Sequence, residues 1–157
     1  MTELVKLTPK HAALPMLACW HFAQWGHLHP SASVETTLAE LRRECSPYTI
    51  PSTYAALIDE AMVGSAQLLA YDMDLYPEWT PWLASVFVTP EYRRRGIASR
   101  LIRHVEAVAF SSGVDTLYLY TPDQQTLYEW LGWRRLEDVS WRGERVTVMF
   151  KQRCQGG

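Results

Sequence analysis

Residues 82–103 constrain the fold of this 157-residue chain more than any other stretch. They open with W-L-A-S-V-F-V, an almost unbroken apolar run rich in β-branched and aromatic residues, which predicts a strand buried on both faces. Thr89 and Pro90 stop it, because proline has no N–H for a ladder and restricts the residue before it. Arg93, Arg94, Arg95 and Gly96 follow. Beyond them Ile97, Leu101, Val105 and Val108 fall on one face of a helix, with Arg100, Arg103, His104 and Glu106 mostly off it. A strand, a short basic loop and a helix start form an anion site, since the first N–H groups of a helix lack intrahelical partners and its dipole is positive there. Gly96 permits a close backbone approach, and Ala98 and Ser99 are small. The expected ligand is a pyrophosphate, although the loop alone reads equally as a solvated turn. The dinucleotide pattern G-x-G-x-x-G and the P-loop pattern G-x-x-x-x-G-K-[ST] do not occur.

Elsewhere the pattern predicts strands at 4–7, 53–58, 63–71, 115–121, 134–141 and 144–151, and helices at 9–25, 33–45 and 122–131. Pro15 either kinks the first helix or delays its start, and Gly26 is expected to end it. Asp59–Glu60 and Arg142–Gly143 read as tight hairpin turns. Residues 72–79, D-M-D-L-Y-P-E-W, form an acidic, aromatic loop. The order implies a single α/β (α+β) domain over residues 1–157, with a mixed, mostly antiparallel sheet, one parallel crossover and flanking helices.

At 48% apolar residues the chain is globular and long enough for a real core. A net charge of −2, with the arginines gathered at one loop, argues against a nucleic-acid partner. Cys19, Cys45 and Cys154 lack a C-x-x-C pair, which suggests reduced thiols in a cytoplasmic protein. The sequence shows neither a signal-peptide pattern nor the ~18 apolar residues of a membrane span. His27 and His29, without nearby cysteine or carboxylate, are a poor zinc set, so no metal is expected.

The run V-x-P-x-Y-R-x-x-G-I-A resembles the acetyl-CoA motif of the GNAT N-acetyltransferase family, whose core is [Q/R]-x-x-G-x-[G/A]; Arg93, Gly96 and Ala98 take its places. A second family pattern, L-Y-x-x-x-G-[F/W], stands at Leu127, Tyr128, Gly132 and Trp133. Two motifs in order, with a helix and a strand between them, are far more specific than either alone. The likeness is close over residues 80–151 and elsewhere lies only in the order of elements. It implies the acyl-CoA N-acyltransferase fold, in which two parallel strands splay and the pantetheine arm enters the gap. Main-chain groups of Val86, Phe87 and Val88 would then pair with the pantetheine, and one of their N–H groups is a candidate to polarise the thioester. Arg93 would support the loop, and N–H groups of Arg94, Arg95, Gly96, Ile97, Ala98 and Ser99 would hold the pyrophosphate.

By the same resemblance Tyr128 is the general acid for the departing thiolate; read from composition alone, it is a core tyrosine beside Trp130 and Trp133. Thr121 and Gln124 stand where the family often has Asn and Ala, so the hold on the pantetheine differs. Thr116 stands where some relatives carry a glutamate base. The base therefore stays open among Asp72, Asp74 and Glu78, which also read as a solvated acidic loop. Trp25, Trp79 and Trp82 adjoin loops that border the acceptor side. The resemblance thus implies an acetyl-CoA-dependent N-acetyltransferase, a monomer or homodimer without metal. It would acetylate a primary amine (small amine, antibiotic amine, protein N-terminus or lysine) by direct attack in a ternary complex. The alternative is a non-catalytic acyl-CoA-binding sensor.

Overall fold

The computed structural model describes residues 2–154. They form β1 (Thr2–Lys6), α1 (Leu14–Trp25), α2 (Val34–Arg43), β2 (Ser52–Ile58), β3 (Ala61–Leu69), β4 (Trp82–Val88), α3 (Ile97–Ser111), β5 (Thr116–Thr121), α4 (Gln125–Trp130), β6 (Arg134–Trp141) and β7 (Glu144–Gln152). The strands make one seven-stranded sheet in the order β1-β2-β3-β4-β5-β7-β6. Neighbours run antiparallel except β4 and β5, which are parallel and joined through α3.

α3 covers one face of the sheet. Its apolar stripe, Ile97, Leu101, Ile102, Val105 and Ala109, packs in one cluster with Val63, Leu68, Leu83, Leu117 and Leu119. Each large aliphatic side chain so buried contributes about 1.5–3 kcal/mol. On the other face α1 and α2 pack through Leu14, Leu17, Ala18 and Leu41 against Leu7, Ala55 and Met62. Met73 and Trp82 join Val146 and Val148 in a third cluster, with Tyr76, Trp79 and Tyr118 packed on it.

Several elements differ from the sequence pattern for physical reasons. α1 begins only at Leu14, with Pro15 in its first turn, where the missing N–H costs nothing. α1 does end at Gly26, its C-cap, but with right-handed rather than left-handed angles, and the chain runs on into a 3-10 turn at Gly26–Leu28. α4 starts at Gln125 because Thr121 Oγ1 accepts from Gln124 N at 3.0 Å and holds residues 122–124 in a turn. Glu106 is buried, although the stripe puts it off the core face. It accepts from Trp133 Nε1 at 3.0 Å and Lys151 Nζ at 2.7 Å, and those two donors offset the desolvation of its charge. β4 is not buried on both faces, since Ser85, Val86 and Phe87 are half-exposed.

Two irregularities make that exposed segment. Ser65 pairs with Phe87 and Gln67 with Ala84, so Ser85 and Val86 together oppose Ala66. This is a β-bulge, and Ser85 takes φ 55°, a left-handed value rare for a residue with a side chain. Beyond the bulge β4 leaves β5, and among the described residues the two strands share a single ladder position, Trp82 with Tyr118.

Candidate active site

The gap between β4 and β5 leads to the start of α3. Arg93 Nε donates to Val88 O at 3.0 Å, tying the loop to the end of β4, and its guanidinium lies 5.9 Å from the Phe87 ring. The Arg95 guanidinium sits over the Tyr92 ring at 5.0 Å. Two of the three loop arginines thus brace the loop itself. Arg94 and Gly96 take φ of 65° and 78°, which turns the chain into α3. The first bond of α3 runs from Arg100 N to Gly96 O at 3.1 Å, leaving the N–H groups of Ile97, Ala98 and Ser99 without intrahelical acceptors. Among the described residues no side chain caps them. A Cβ built on Gly96 would meet nothing within 4 Å. Free N–H groups facing open space fit a phosphate, and the unpaired edge of β4 fits an extended amide-bearing arm.

Tyr128 is buried in the same apolar cluster as Ile97, with Ala98 packed against that cluster. Burial, and next the charge of Asp123, holds its phenol well above the ordinary range, so it keeps its proton. Its ring meets Trp133 edge-on at 6.0 Å, and Trp133 N donates to Tyr128 O at 2.9 Å. Trp133 is pinned to α3 through Glu106. The second motif is therefore a brace that sets the position of Tyr128. Thr121 is buried, and its hydroxyl oxygen already accepts from the α4 turn, which leaves its O–H as the group free to donate.

On the other side of the sheet lies a cleft of about 710 Å³. Its walls include His21 and Trp25 of α1, Glu40 of α2 and Glu44 at its C-cap, Asp72 and Asp74 of the loop, and Trp141 and Arg142 of the last hairpin; Gln67, Ser85 and Tyr120 face it from the sheet. The bulge residue Ser85 thus connects cleft and gap. The Asp72 loop is held closed by the Thr80 hydroxyl donating to Ala70 O, by Trp82 Nε1 donating to Trp79 O at 2.6 Å, and by a Tyr76–Trp79–Tyr118 stack with centroid separations of 4.1 and 5.7 Å.

The cleft changes the acidity of its groups. Burial, with Glu44 and Glu40 adding repulsion, raises Asp72 to about 8. Burial raises Glu44 to about 7, against a 2.8 Å hydrogen bond from Gln67 Nε2. His21 falls to about 4 by burial and stays neutral, and its Nε2 has no hydrogen-bond partner among the described residues.

Of the acceptor-side residues expected from sequence, Trp25, Asp72 and Asp74 line the cleft. Trp82 does not: it is fully buried beneath the loop in the third cluster. Glu78 is exposed and lies outside the cleft wall. His21, Glu40, Glu44, Gln67, Ser85 and Tyr120 are additions from the structure. Their meeting depends on contacts such as Glu44 with Gln67, 23 positions apart, which no local pattern signals. Among the described residues no cluster of three His, Cys, Asp or Glu is placed to hold a metal ion, and no helix is long and apolar enough to cross a membrane.

The Acetyltransferase (GNAT) family profile matches residues 14–133. No curated protein matches the chain in sequence. Among solved structures, an aminoglycoside 6'-N-acetyltransferase complexed with coenzyme A superposes with a TM-score of 0.76 at 16% identity, over 96% of this chain and 96% of that one. An aminoglycoside 6'-acetyltransferase type Ii gives 0.73 at 19% identity, with 96% of each chain covered. A PaiA N-acetyltransferase from Thermoplasma acidophilum, in complex with coenzyme A, gives 0.67 at 19% identity over 98% of this chain and 99% of that one. With its family profile spanning most of the chain and both motifs seated at the gap, the protein belongs to the GNAT acetyltransferase family.

Proposed function

We propose that this protein is an acetyl-CoA-dependent N-acetyltransferase that acetylates a primary amine by direct attack in a ternary complex. The observation that carries this reading is the acidic cleft opening at Ser85, on the strand edge suited to the cofactor's arm. Acetyl-CoA, when bound, supplies an acetyl group activated as a thioester. The N–H groups of Ile97, Ala98 and Ser99 would bind its pyrophosphate, with Arg94, Arg95 and Gly96 completing the turn. Val86, Phe87 and Val88 would offer main-chain groups to the pantetheine, and an N–H at the bulge would polarise the carbonyl.

An amine enters as an ammonium and must lose a proton before it attacks. Asp72 is the base we assign, directly or through water. A carboxyl raised to about 8 by burial is far better matched to an ammonium than an ordinary one. The phenol of Tyr128 would then donate to the departing sulfur. The solved neighbours named as N-acetyltransferases support an amine acceptor.

The test combines thermal melts with acetyl-CoA and a screen of amines and peptides for release of free coenzyme A. At ~100 times its dissociation constant the cofactor should add about 2.7 kcal/mol of stability. Turnover with an amine supports the reading. A stabilised protein that acetylates nothing would instead indicate a sensor, and no thermal shift would remove the cofactor site itself.

A further inference from the structure

Four carboxylates, Glu40, Glu44, Asp72 and Asp74, face one cleft, opposed on its wall by Arg142. That is more carboxyl groups than one reacting amine needs, because the amine must be neutral when it attacks. If Asp72 takes its proton, the pair at the C-terminal end of α2 remains. Glu40 and Glu44 stand at i and i+4, where like charges share a helix face and destabilise it. Gln67, itself buried on the sheet, holds Glu44 from the far side by its 2.8 Å bond and so fixes the carboxylate against the cleft.

An independent observation comes from α1. The buried stripe Leu14, Leu17, Ala18 continues at His21, which is only 8% exposed; His21 is among the residues lining the cleft, and its buried Nε2 has no hydrogen-bond partner among the described residues. A buried polar atom left unpaired costs about 1–3 kcal/mol, so a ligand N–H or O–H that meets it recovers stability. Among the described residues no three His, Cys, Asp or Glu groups are placed to hold one metal ion, whereas an ammonium needs only one or two carboxylates beside it.

We infer that the cleft selects acceptors bearing two amino groups: one reacts at Ser85, and the second, still protonated, is held by Glu40 and Glu44 with Nε2 of His21. This inference rests on the N-acetyltransferase reading for its first amine, but the second-ammonium site can be tested without turnover.

The experiment measures kcat/KM at saturating acetyl-CoA for diaminopentane, pentylamine and aminopentanol, with bis(aminomethyl)cyclohexane as a rigid diamine. The enzymes are the unaltered protein, Glu40→Gln, Glu44→Gln and His21→Phe. Glu44→Gln keeps an oxygen for Gln67, His21→Phe keeps the ring against Trp25, and Glu40→Gln alters an exposed residue. Diaminopentane should exceed pentylamine by about tenfold or more, mainly through KM, because hydrogen bonds to a charged group are worth that factor. Each variant should shrink the ratio. A higher rate for the rigid diamine would assign the natural acceptor to ring-borne amines, and a higher rate for diaminopentane to chain-borne ones. Equal kcat/KM for diaminopentane and pentylamine would overturn the inference and leave the N-acetyltransferase reading intact. If no amine is acetylated, calorimetry with diaminopentane decides. Binding that Glu40→Gln and Glu44→Gln weaken keeps the second-ammonium site while the N-acetyltransferase reading falls; no binding overturns the site.

Discussion

Tyr128 keeps its proton because burial disfavours the phenolate, and a protonated phenol is what a departing thiolate needs. Tyr128→Phe retains the ring and its edge-on contact with Trp133, so the fold and cofactor affinity should persist. If the phenol donates to the departing thiolate as proposed, the lost interaction belongs mainly to the transition state. We expect kcat to fall ~100-fold with little change in acceptor KM, measured under cofactor saturation. An unchanged kcat in the folded variant would make Tyr128 a packing residue. The placing of Tyr128 against Trp133 was legible in sequence because its motif is local: Leu127, Tyr128, Gly132 and Trp133 lie within two turns of chain. His21 and Glu44 were not. A histidine on the apolar stripe of α1 and a glutamate at the end of α2 acquire meaning only from Gln67 and the cleft, which the fold supplies.

At the scale of elements, β4 governs the site, and two glycines bear on it differently. Gly64 of β3 lies beneath the end of β4, and a Cβ there would come within 2.8 Å of the Phe87 carbonyl oxygen and 3.3 Å of Leu101 Cδ1. Gly96 has open space around it but a left-handed φ. Gly64→Ala should therefore displace β4 and cost about 1–3 kcal/mol in urea melts of the cofactor-free protein. Gly96→Val should cost less in those melts and instead weaken acetyl-CoA binding, where a side chain would occupy the phosphate's room. The opposite ranking in the melts would mean that β4 yields easily and that the loop turn is the rigid part. The strands and helices themselves followed from apolar spacing and turn residues. The bulge did not, since S-V-F-V reads as an ordinary strand and Ser85 departs from it only against the register of β3.

At the scale of the molecule, the cleft ties stability to pH. Asp72 and Glu44, raised in the folded state to about 8 and about 7, hold protons that the unfolded chain releases above about pH 4, so their contribution to stability falls as pH rises from there to those values. His21, lowered to about 4, works in the opposite sense: its contribution is lost as pH falls from about 6.5 toward 4. The groups facing Asp72 across the cleft are His21 of α1, Glu40 of α2 and Glu44 at its C-cap, Asp74 beside it, Tyr120 of β5 and Arg142 of the last hairpin. Asp72→Asn cannot ionise, so the Tm difference between it and the unaltered protein should be smallest below about pH 4, where Asp72 is protonated in both states, and should grow in favour of the variant up to about pH 8. A Tm at or below that of the unaltered protein at the higher pH would show that Asp72 is not desolvated. The lone ladder position between β4 and β5 has a further effect. Main-chain hydrogen bonding barely passes from the β1–β4 half to the β5, β7, β6 half. Side chains beneath α3 bridge them instead, with Leu83 and Val88 on one side and Leu117, Leu119 and Met149 on the other. We therefore expect α3 to carry the coupling between the halves, and a cofactor arm bound in the gap, as proposed, to add rungs there and slow amide hydrogen exchange along this seam.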